Sequence, residues 1–284
     1  MSQNDSLCYL NGNYVPLANA SIPVLDRGFI FGDGIYEVVP AYRKRPFRLE
    51  QHLNRLQRSL TEVRIENPHS RAEWRAVIDR LIGSSPAEDL TVYVQVTRGV
   101  AKRDFAFPAG VAPTVFAMVS PLTRPSAAQR EAGLRAISVP DLRWLRCDIK
   151  SVSLLGAVLA RQQAAEQGLD EVVQHRDGRL TEGSASNVWV VKAGRVLAPP
   201  RDNLILEGIR YGFVQELCEQ AAIPFDVRVI SMDEVRGADE LMLSAATREL
   251  LPIVELDGHR IGDGRPGPVY RQLRGGYDAA IAAL

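Results

Sequence analysis

The stretch Arg143-Trp-Leu-Arg-Cys-Asp-Ile-Lys-Ser151 decides how this chain is interpreted, because it places a lone lysine just before a long apolar helix. The residue pattern predicts that helix over residues 154–167, and the small-residue turn Thr181-Glu-Gly-Ser-Ala-Ser-Asn187 follows after a strand-like segment. A lysine can form a Schiff base with an aldehyde cofactor, and a carboxylate can face a ring nitrogen of that cofactor. By residue type alone, however, Lys150 is interpreted as a solvated surface charge. The rest of the chain must decide between the two.

The composition is that of an ordinary globular protein, with 284 residues, 46% of them hydrophobic and 24% charged. Lys plus Arg and Asp plus Glu are 34 each, and this balance argues against a nucleic-acid-binding surface. No apolar run reaches membrane-spanning length, and the polar start Met1–Ser6 lacks a signal-peptide core. The odd, widely spaced cysteines and scattered histidines predict neither disulfides nor a metal site. We therefore expect a cytoplasmic protein without a metal.

The first half of the chain mixes hairpins, helices and strands. Asn11-Gly12 predicts the tight turn of a hairpin. Leucines spaced by three and four predict an amphipathic helix over residues 48–63, and a β-branched segment predicts a strand over residues 90–97. Three glycines in residues 26–34 allow close backbone approach but do not fit a dinucleotide-binding fingerprint.

Ser120-Pro-Leu-Thr-Arg-Pro-Ser126 predicts a linker, because it contains two prolines between strand-like segments. The predicted domains are residues 1–119 and residues 127–284. Further hairpin turns are expected at Asp177-Gly178 and Asp257-Gly258. Hairpins interspersed with helices predict an α+β fold rather than a doubly wound sheet.

Three features could bind an anion, and each also has an ordinary explanation. Arg55 lies beside the apolar stripe of its helix, where it either extends along the core edge or reaches inward to an anion. Gly208 precedes a predicted helix whose first amides suit a phosphate, although many helices simply begin this way. The small-residue turn over residues 244–249 could expose amides similarly.

Together these features resemble one family. Four segments carry the resemblance, in order and at similar spacing: residues 27–38 (Arg-Gly-Phe-Ile-Phe-Gly-Asp-Gly-Ile-Tyr-Glu-Val), Val-Thr-Arg-Gly at 96–99 with Arg103-Asp104, residues 143–151 with Leu-Leu-Gly-Ala-Val-Leu-Ala at 154–160, and residues 181–188. Over nearly its whole length the chain resembles the fold-type IV pyridoxal-phosphate aminotransferases, and among them the bacterial D-amino acid aminotransferases.

The resemblance implies a two-domain α+β fold, with a smaller N-terminal α/β sandwich domain and a larger, β-barrel-like C-terminal domain with helices that binds the cofactor. It implies that D-alanine-like donors pass their amino group to 2-oxo acids such as 2-oxoglutarate, with pyridoxal 5'-phosphate as cofactor. It also implies a homodimer whose active sites are completed across the subunit interface.

Site residues are implied in the same way. Lys150 would hold the cofactor as a Schiff base and then act as general base and acid. Glu182 would face the pyridine nitrogen and keep it protonated, and Leu206 would pack on the ring face.

The phosphate would be bound by Arg55, by the backbone amides of Ile209 and Arg210, and by the turn of Ala246 and Thr247. Two of these positions depart from the family pattern. The family has small hydroxyl residues there, whereas this chain has Arg210 and Ala246. The Arg210 side chain would either add charge toward the phosphate or point into solvent.

The resemblance implies a substrate-carboxylate site made of Tyr36 from one subunit and Arg103 from a loop of the neighbouring subunit. The family's histidine in that loop is Phe105 here, and a phenyl ring cannot donate a hydrogen bond.

Rival interpretations within the fold are a branched-chain L-amino acid aminotransferase, an aminodeoxychorismate lyase and an (R)-selective amine aminotransferase. A rival of another class is a binding protein that kept the fold without catalysis, against which the presence of both Lys150 and Glu182 argues.

Overall fold

The computed structural model describes residues 6–284. The expectation about the polar start of the chain therefore falls almost wholly outside the described residues. The chain divides into two compact units, one of Met1–Thr123 with Ile149–Ser153 and the other of Arg124–Asp148 with Leu154–Leu284.

The division after Thr123 lies inside the segment predicted as a linker, although the sixth strand extends into that segment and ends at Pro121. The segment that carries Lys150 groups with the first unit. The sequence had placed it in the C-terminal domain, because a short return of the chain to another unit leaves no signal in composition.

The first unit is a six-stranded sheet covered by helices. Its strands are β1 Leu7–Leu10, β2 Asn13–Pro16, β3 Gly34–Tyr42, β4 Arg45–Pro46, β5 Leu90–Thr97 and β6 Thr114–Pro121. Its helices are α1 Arg27–Phe31, α2 Leu49–Glu62 and α3 Arg71–Ser84, with a 3-10 turn at Leu17–Asn19. The strand order is β2-β1-β6-β5-β3-β4, and the neighbouring strands pair antiparallel.

Alternation along β5 separates the two faces of this sheet. Val92 and Val94 are buried in the core with Leu56 of α2 and Ile78 of α3. Tyr93, pointing to the opposite face, is only half-buried. A strand buried on one face has this period of two, and the sequence therefore predicted it correctly.

The glycine-containing stretch before β3 forms the short helix α1, which was not predicted from the sequence. Asp26 caps it by accepting a hydrogen bond from the Gly28 amide at 2.8 Å. The helix ends at Gly32, whose φ of 65° is left-handed and favours glycine. The signals in the sequence were an aspartate at the N-cap position, Asp26, and a glycine at the C-cap position, Gly32.

The second unit is a nine-stranded mixed sheet with helices. Its strands are β7 Leu134–Pro140, β8 Glu171–Arg176, β9 Arg179–Leu180, β10 Asn187–Lys192, β11 Arg195–Ala198, β12 Phe225–Val227, β13 Glu240–Ala245, β14 Glu249–Leu256 and β15 His259–Arg260. Its helices are α4 Ala127–Ala132, α5 Leu155–Glu166, α6 Ile209–Gln220, α7 Met232–Arg236 and α8 Pro268–Ala282. The order is β12-β11-β10-β13-β14-β7-β8-β9, with β15 on β14.

Only the β11–β12, β14–β7 and β7–β8 pairs of this sheet are parallel among the described residues. The α+β prediction is confirmed. The hairpins at Asn11-Gly12, Asp177-Gly178 and Asp257-Gly258 are also confirmed, by the β1–β2, β8–β9 and β14–β15 pairs.

The apolar side of α5 does not face the core. The buried residues of this helix are Ala160 and Ala164, whereas Leu155, Val158 and Leu159 are exposed. Across residues 6–284, none of the helices combines the length and apolarity needed to span a membrane.

Candidate active site

The predicted site residues fall into two groups, one in each unit. The first unit carries Tyr36, Arg55, Arg103, Phe105 and Lys150, and the second carries Glu182, Leu206, Ile209, Arg210, Ala246 and Thr247.

Lys150 lies beside β3. Its carbonyl oxygen accepts a hydrogen bond from the Tyr36 amide at 3.0 Å, and the Val152 amide donates to the Gly34 carbonyl at 3.0 Å. The Lys150 Nζ atom is 4.0 Å from the centre of the Tyr36 ring. A half-buried ammonium over an aromatic face, with its backbone fixed to a sheet, differs from a freely solvated surface lysine.

Arg55 is buried on α2 and paired with Glu37 of β3. Its Nε atom donates to Glu37 Oε1 at 2.7 Å and its Nη2 atom to Glu37 Oε2 at 2.8 Å. His52 Nδ1 is 2.8 Å from Glu37 Oε2. Burial alone would raise the pKa of Glu37, but Arg55 and His52 hold that pKa below its usual range. Glu37 thus fixes the orientation of the Arg55 guanidinium.

The pairing of Glu37 with Arg55 was not predicted from the sequence. A signal existed, because Glu37 shares the buried face of β3 with Ile35 and Val39, at spacings of two. An acid at such a position requires a charged partner.

We expect Glu37→Gln to lower the free energy of unfolding by about 3–5 kcal/mol at neutral pH, since it leaves Arg55 buried without its carboxylate. Because the folded-state pKa of Glu37 is depressed, its contribution is present above the unfolded value of about 4.3 and is lost as the pH falls below it. Urea unfolding at several pH values should therefore show a difference in the free energy of unfolding between wild type and Glu37→Gln that becomes smaller as the pH falls. A difference that does not change with pH would contradict this reasoning.

The loop that contains Arg103 and Phe105 is bound by Arg27, the first residue of α1. The Arg27 guanidinium donates to the Asp104 carbonyl at 2.5 Å and to the Phe105 carbonyl at 3.4 Å. Phe105 is 79% exposed. The Arg103 guanidinium carbon lies 5.4 Å from the centre of the Phe31 ring. The loop thus presents an arginine and a phenyl ring on an ordered backbone.

Glu182, in the second unit, is a buried carboxylate surrounded by hydrogen-bond donors. Arg143 Nη1 forms a short ion pair with its Oε1 atom. The Leu206 amide donates to its Oε2 atom at 3.1 Å and Asn187 Nδ2 to the same atom at 3.3 Å. Burial raises the pKa of Glu182, while Arg143 opposes the rise. All three neighbours donate, and this arrangement suits an ionised carboxylate.

Arg143 is itself fixed by Asp141. Its Nε and Nη2 atoms donate to the Asp141 carboxylate at 2.9 and 2.8 Å. No role for Arg143 follows from the sequence, because its pairing with Glu182 spans the whole of α5 and β8. Arg143 is therefore a candidate for keeping Glu182 charged.

We expect Arg143→Met to raise the pKa of Glu182 further, because the variant removes the cation that opposes the effect of burial. A step that needs ionised Glu182 would then fail at higher pH, and the acid limb of the kcat/KM profile should move up by roughly one to three pH units. Arg146→Met is the matched control, since Arg146 is an exposed arginine of the same segment that pairs with half-buried Asp148. An unmoved acid limb in Arg143→Met would contradict this assignment.

Hydrogen bonds of the Asn187 side chain connect Glu182 to the segment that precedes α6. Asn187 Nδ2 donates to the Leu206 carbonyl at 2.8 Å, and a Cβ atom on Gly208 would lie 2.3 Å from Asn187 Oδ1. Glycine is therefore required at position 208 for steric reasons. As N-cap of α6, Gly208 offers no side-chain hydrogen bond, and the first amides of the helix, those of Ile209 and Arg210, are not capped by it.

Arg210 does not point into solvent, and that alternative from the sequence is wrong. The residue is 2% exposed, and its Nε atom donates to the Tyr277 hydroxyl of α8 at 2.7 Å. Its Nη2 atom is 3.5 Å from the Ala246 carbonyl oxygen. Ala246 and Thr247 lie in the turn between β13 and β14, where Thr247 is exposed.

Comparison with known proteins identifies the class to which this fold and these residues belong. The amino-transferase class IV family matches residues 34–256. The chain is 37% identical to the D-alanine aminotransferase of Staphylococcus haemolyticus, over 96% of this chain and 97% of that protein. It is 38% identical to the D-alanine aminotransferase of Bacillus licheniformis, over 93% of each. The chain belongs to the class IV aminotransferases.

Solved structures agree on the fold. The branched-chain amino acid aminotransferase of Escherichia coli superposes with a TM-score of 0.92 at 23% identity, covering 97% of this chain and 94% of that one. The branched-chain aminotransferase of the archaeon Thermoproteus uzoniensis, solved with norvaline, gives a TM-score of 0.87 at 24% identity, covering 98% and 95%. The two-domain fold-type IV class is confirmed, and with it an enzyme that uses pyridoxal phosphate.

The residues of the second unit fit this cofactor. A pyridine nitrogen that carries a proton needs an ionised acceptor, and Glu182 has three donors that favour its charged form. A phosphate suits uncapped amides at a helix start, which α6 provides. Asn187 connects these two places through the Leu206 carbonyl.

Proposed function

We propose that this chain is a D-amino acid aminotransferase that moves the amino group of D-alanine-like donors to 2-oxo acids such as 2-oxoglutarate. One observation carries the proposal, namely the 37–38% identity to D-alanine aminotransferases over nearly the full length of both chains. The branched-chain enzymes are similar at only 23–24% identity, and this level supports the fold alone.

Lys150 is the proposed catalytic residue. Pyridoxal phosphate, when bound, accepts the electron pair released at the donor Cα. The Lys150 amine binds the cofactor aldehyde and then carries the proton between the donor Cα and the cofactor C4′. The backbone hydrogen bonds of Lys150 and Val152 to β3 fix the position of the Lys150 Cα atom, so that only the side chain needs to move during the reaction.

Glu182 is proposed to accept a hydrogen bond from the protonated ring nitrogen. Arg143 and the Leu206 amide keep this carboxylate in place and favour its ionised form. We place Leu206 against the ring face, since its backbone is bound at both its amide and its carbonyl.

The phosphate is proposed to be bound by Arg55 and by the amides of Ile209 and Arg210, with the Ala246–Thr247 turn beside them. Arg55 carries a full charge in an orientation set by Glu37. Ala246 has no side-chain polar atom, so only its backbone can contribute there.

The donor carboxylate is proposed to bind Tyr36 and Arg103, with less help than a histidine at position 105 would give. Loss of one hydrogen bond to a charged group weakens binding by roughly 1.5–3 kcal/mol. An exposed phenyl ring in its place favours weaker carboxylate binding and tolerance of bulkier donors.

We expect Phe105→His to lower KM for D-alanine by about tenfold or more, because the imidazole would restore a donor to the carboxylate. Steady-state kinetics with D-alanine and 2-oxoglutarate test this. Phe107→His, which changes a second exposed ring in the same loop, is the matched control. An unchanged KM in Phe105→His would refute the proposed carboxylate role of this position.

A homodimer is proposed, and exposed apolar surface supports it in each unit. The second unit exposes Leu142, Trp144, Leu145, Leu155, Val158 and Leu159. The first exposes Ile22, Val24, Leu25, Phe29, Phe105 and Phe107. Apolar groups of this kind mark protein interaction sites. Light scattering at micromolar concentration should give twice the chain mass, and a monomer would contradict the proposal.

The buried free thiols of Cys8, Cys147 and Cys218 support a cytoplasmic location.

A panel of amino donors tests the proposed function. Purified protein is incubated with 2-oxoglutarate and with D-alanine, L-leucine or an (R)-amine, and the glutamate formed is measured. D-Alanine is expected to be the best of the three. Preference for L-leucine or for the amine would replace the proposal with one of the two rival aminotransferases.

A further inference from the structure

The buried side chain of Arg210 has no role in the proposed chemistry, which uses only its amide. A buried guanidinium is costly unless its donors are satisfied by good partners. Its Nε atom has such a partner in the Tyr277 hydroxyl at 2.7 Å. Its Nη2 atom reaches the Ala246 carbonyl at 3.5 Å. One side chain therefore connects the first turn of α6, helix α8 and the turn between β13 and β14.

The Tyr277 end of this connection is firmly placed. Tyr277 is fully buried, and its ring packs edge-on against Phe213 of α6 at 5.0 Å between centroids. The neighbouring Gly276 allows the helices to approach closely, since a Cβ atom there would lie 2.9 Å from Leu217 Cδ2. The hydroxyl of Tyr277 is thus a fixed acceptor for Arg210.

The other end of the connection is the turn of residues 246–248, in which the Arg248 side chain pairs with Glu171. Ala246 contributes no polar side-chain atom, and Thr247 is exposed. Arg210 therefore supplies a side-chain contact that limits where the Ala246 carbonyl, and the amides that follow it, can lie relative to the uncapped start of α6.

We infer that Arg210 is a positioning residue for the cofactor phosphate, which braces the Ala246–Thr247 turn against the first turn of α6 through its bonds to Ala246 and Tyr277. This inference rests on the proposed assignment of that turn and of the α6 amides to the phosphate. The guanidinium also brings a positive charge to the first turn of α6, and this charge favours an anion near that turn.

The test compares two ligands that differ only in the phosphate. Apo-protein is titrated with pyridoxal phosphate and with pyridoxal, and binding is followed by absorbance, without turnover. Arg210→Met is expected to weaken pyridoxal phosphate binding by about tenfold, the lower end of the loss seen when a supporting contact to a site is removed. Binding of pyridoxal is expected to change less than twofold.

Tyr277→Phe provides a milder variant that retains the α6–α8 packing. It should give a smaller loss, again confined to pyridoxal phosphate. Tyr270→Phe is its matched control on the same helix, because the Tyr270 hydroxyl is buried without a hydrogen bond to any described residue. We expect that control to bind both ligands as the wild type does.

Equal losses for the two ligands in Arg210→Met and Tyr277→Phe would overturn the inference, since they would indicate a general structural role. Unchanged pyridoxal phosphate binding in folded Tyr277→Phe and Arg210→Met would also overturn it. Failure of the proposed function has a different signature, because the wild-type protein itself would then not bind pyridoxal phosphate.

Discussion

Lys150→Ala is expected to lower kcat for D-alanine and 2-oxoglutarate by at least about 10³–10⁴-fold. The variant loses both the amine that binds the cofactor aldehyde and the only group proposed to move the proton between the two carbon atoms. General acid–base catalysis alone contributes about 10²–10⁴ in rate, and the covalent role adds to it. The measurement is single-turnover conversion of bound cofactor by D-alanine, which separates chemistry from product release.

The fold of Lys150→Ala should be intact, because the hydrogen bond between Lys150 and β3 is made by backbone atoms. Lys44→Ala, at another half-buried lysine of the first unit, is the matched control and should retain wild-type kcat. Comparable rates in Lys150→Ala and wild type would show that the proton is moved by another group.

Glu182→Gln is expected to lower kcat by about 10²–10³-fold, the loss typical of removing one fixed electrostatic contact to a developing charge. Glutamine keeps the size and can still accept from the Leu206 amide. It cannot carry the negative charge that holds the ring nitrogen protonated, and it leaves Arg143 without one of its two carboxylates.

Glu207→Gln is a suitable comparison for Glu182→Gln, since Glu207 lies next to Leu206 in the segment before α6 and pairs with Arg201 near the surface. Its kcat should remain close to wild type. If Glu182→Gln retained more than half of the wild-type kcat while binding the cofactor, the ring nitrogen would not depend on this carboxylate.

The elements that the sequence predicted correctly were those with a local cause. Helix α2 follows from leucines at spacings of three and four, strand β5 from β-branched residues at alternate positions, and the Asn11-Gly12 hairpin from positive φ at both turn residues. The short helices α4 and α7 were missed, although each begins with a capping box, at Ser126 and Ser231.

Lys150 and Glu182 were selected from motifs, whereas their supporting residues were not. The Arg55–Glu37 and Arg143–Glu182 pairs join positions 18 and 39 residues apart. No local pattern in one sequence specifies such a pairing. The grouping of Ile149–Ser153 with the first unit is non-local for the same reason.

The apolar side of α5 shows a different limit. Its leucines and valine repeat as in a core-facing helix, but the structure exposes them. Periodicity identifies an apolar face and cannot say whether the chain itself or a second subunit covers that face.

Borohydride treatment of the holoenzyme, followed by peptide mapping, tests the central claim most directly. We predict that the cofactor is fixed on Lys150, and on none of Lys44, Lys102 and Lys192. Prior incubation with D-alanine, without a 2-oxo acid, should prevent fixation, because the amino group has then moved to the cofactor. Prior incubation with L-leucine should leave the extent of fixation unchanged. Fixation on another lysine, or protection by L-leucine instead of D-alanine, would contradict the account.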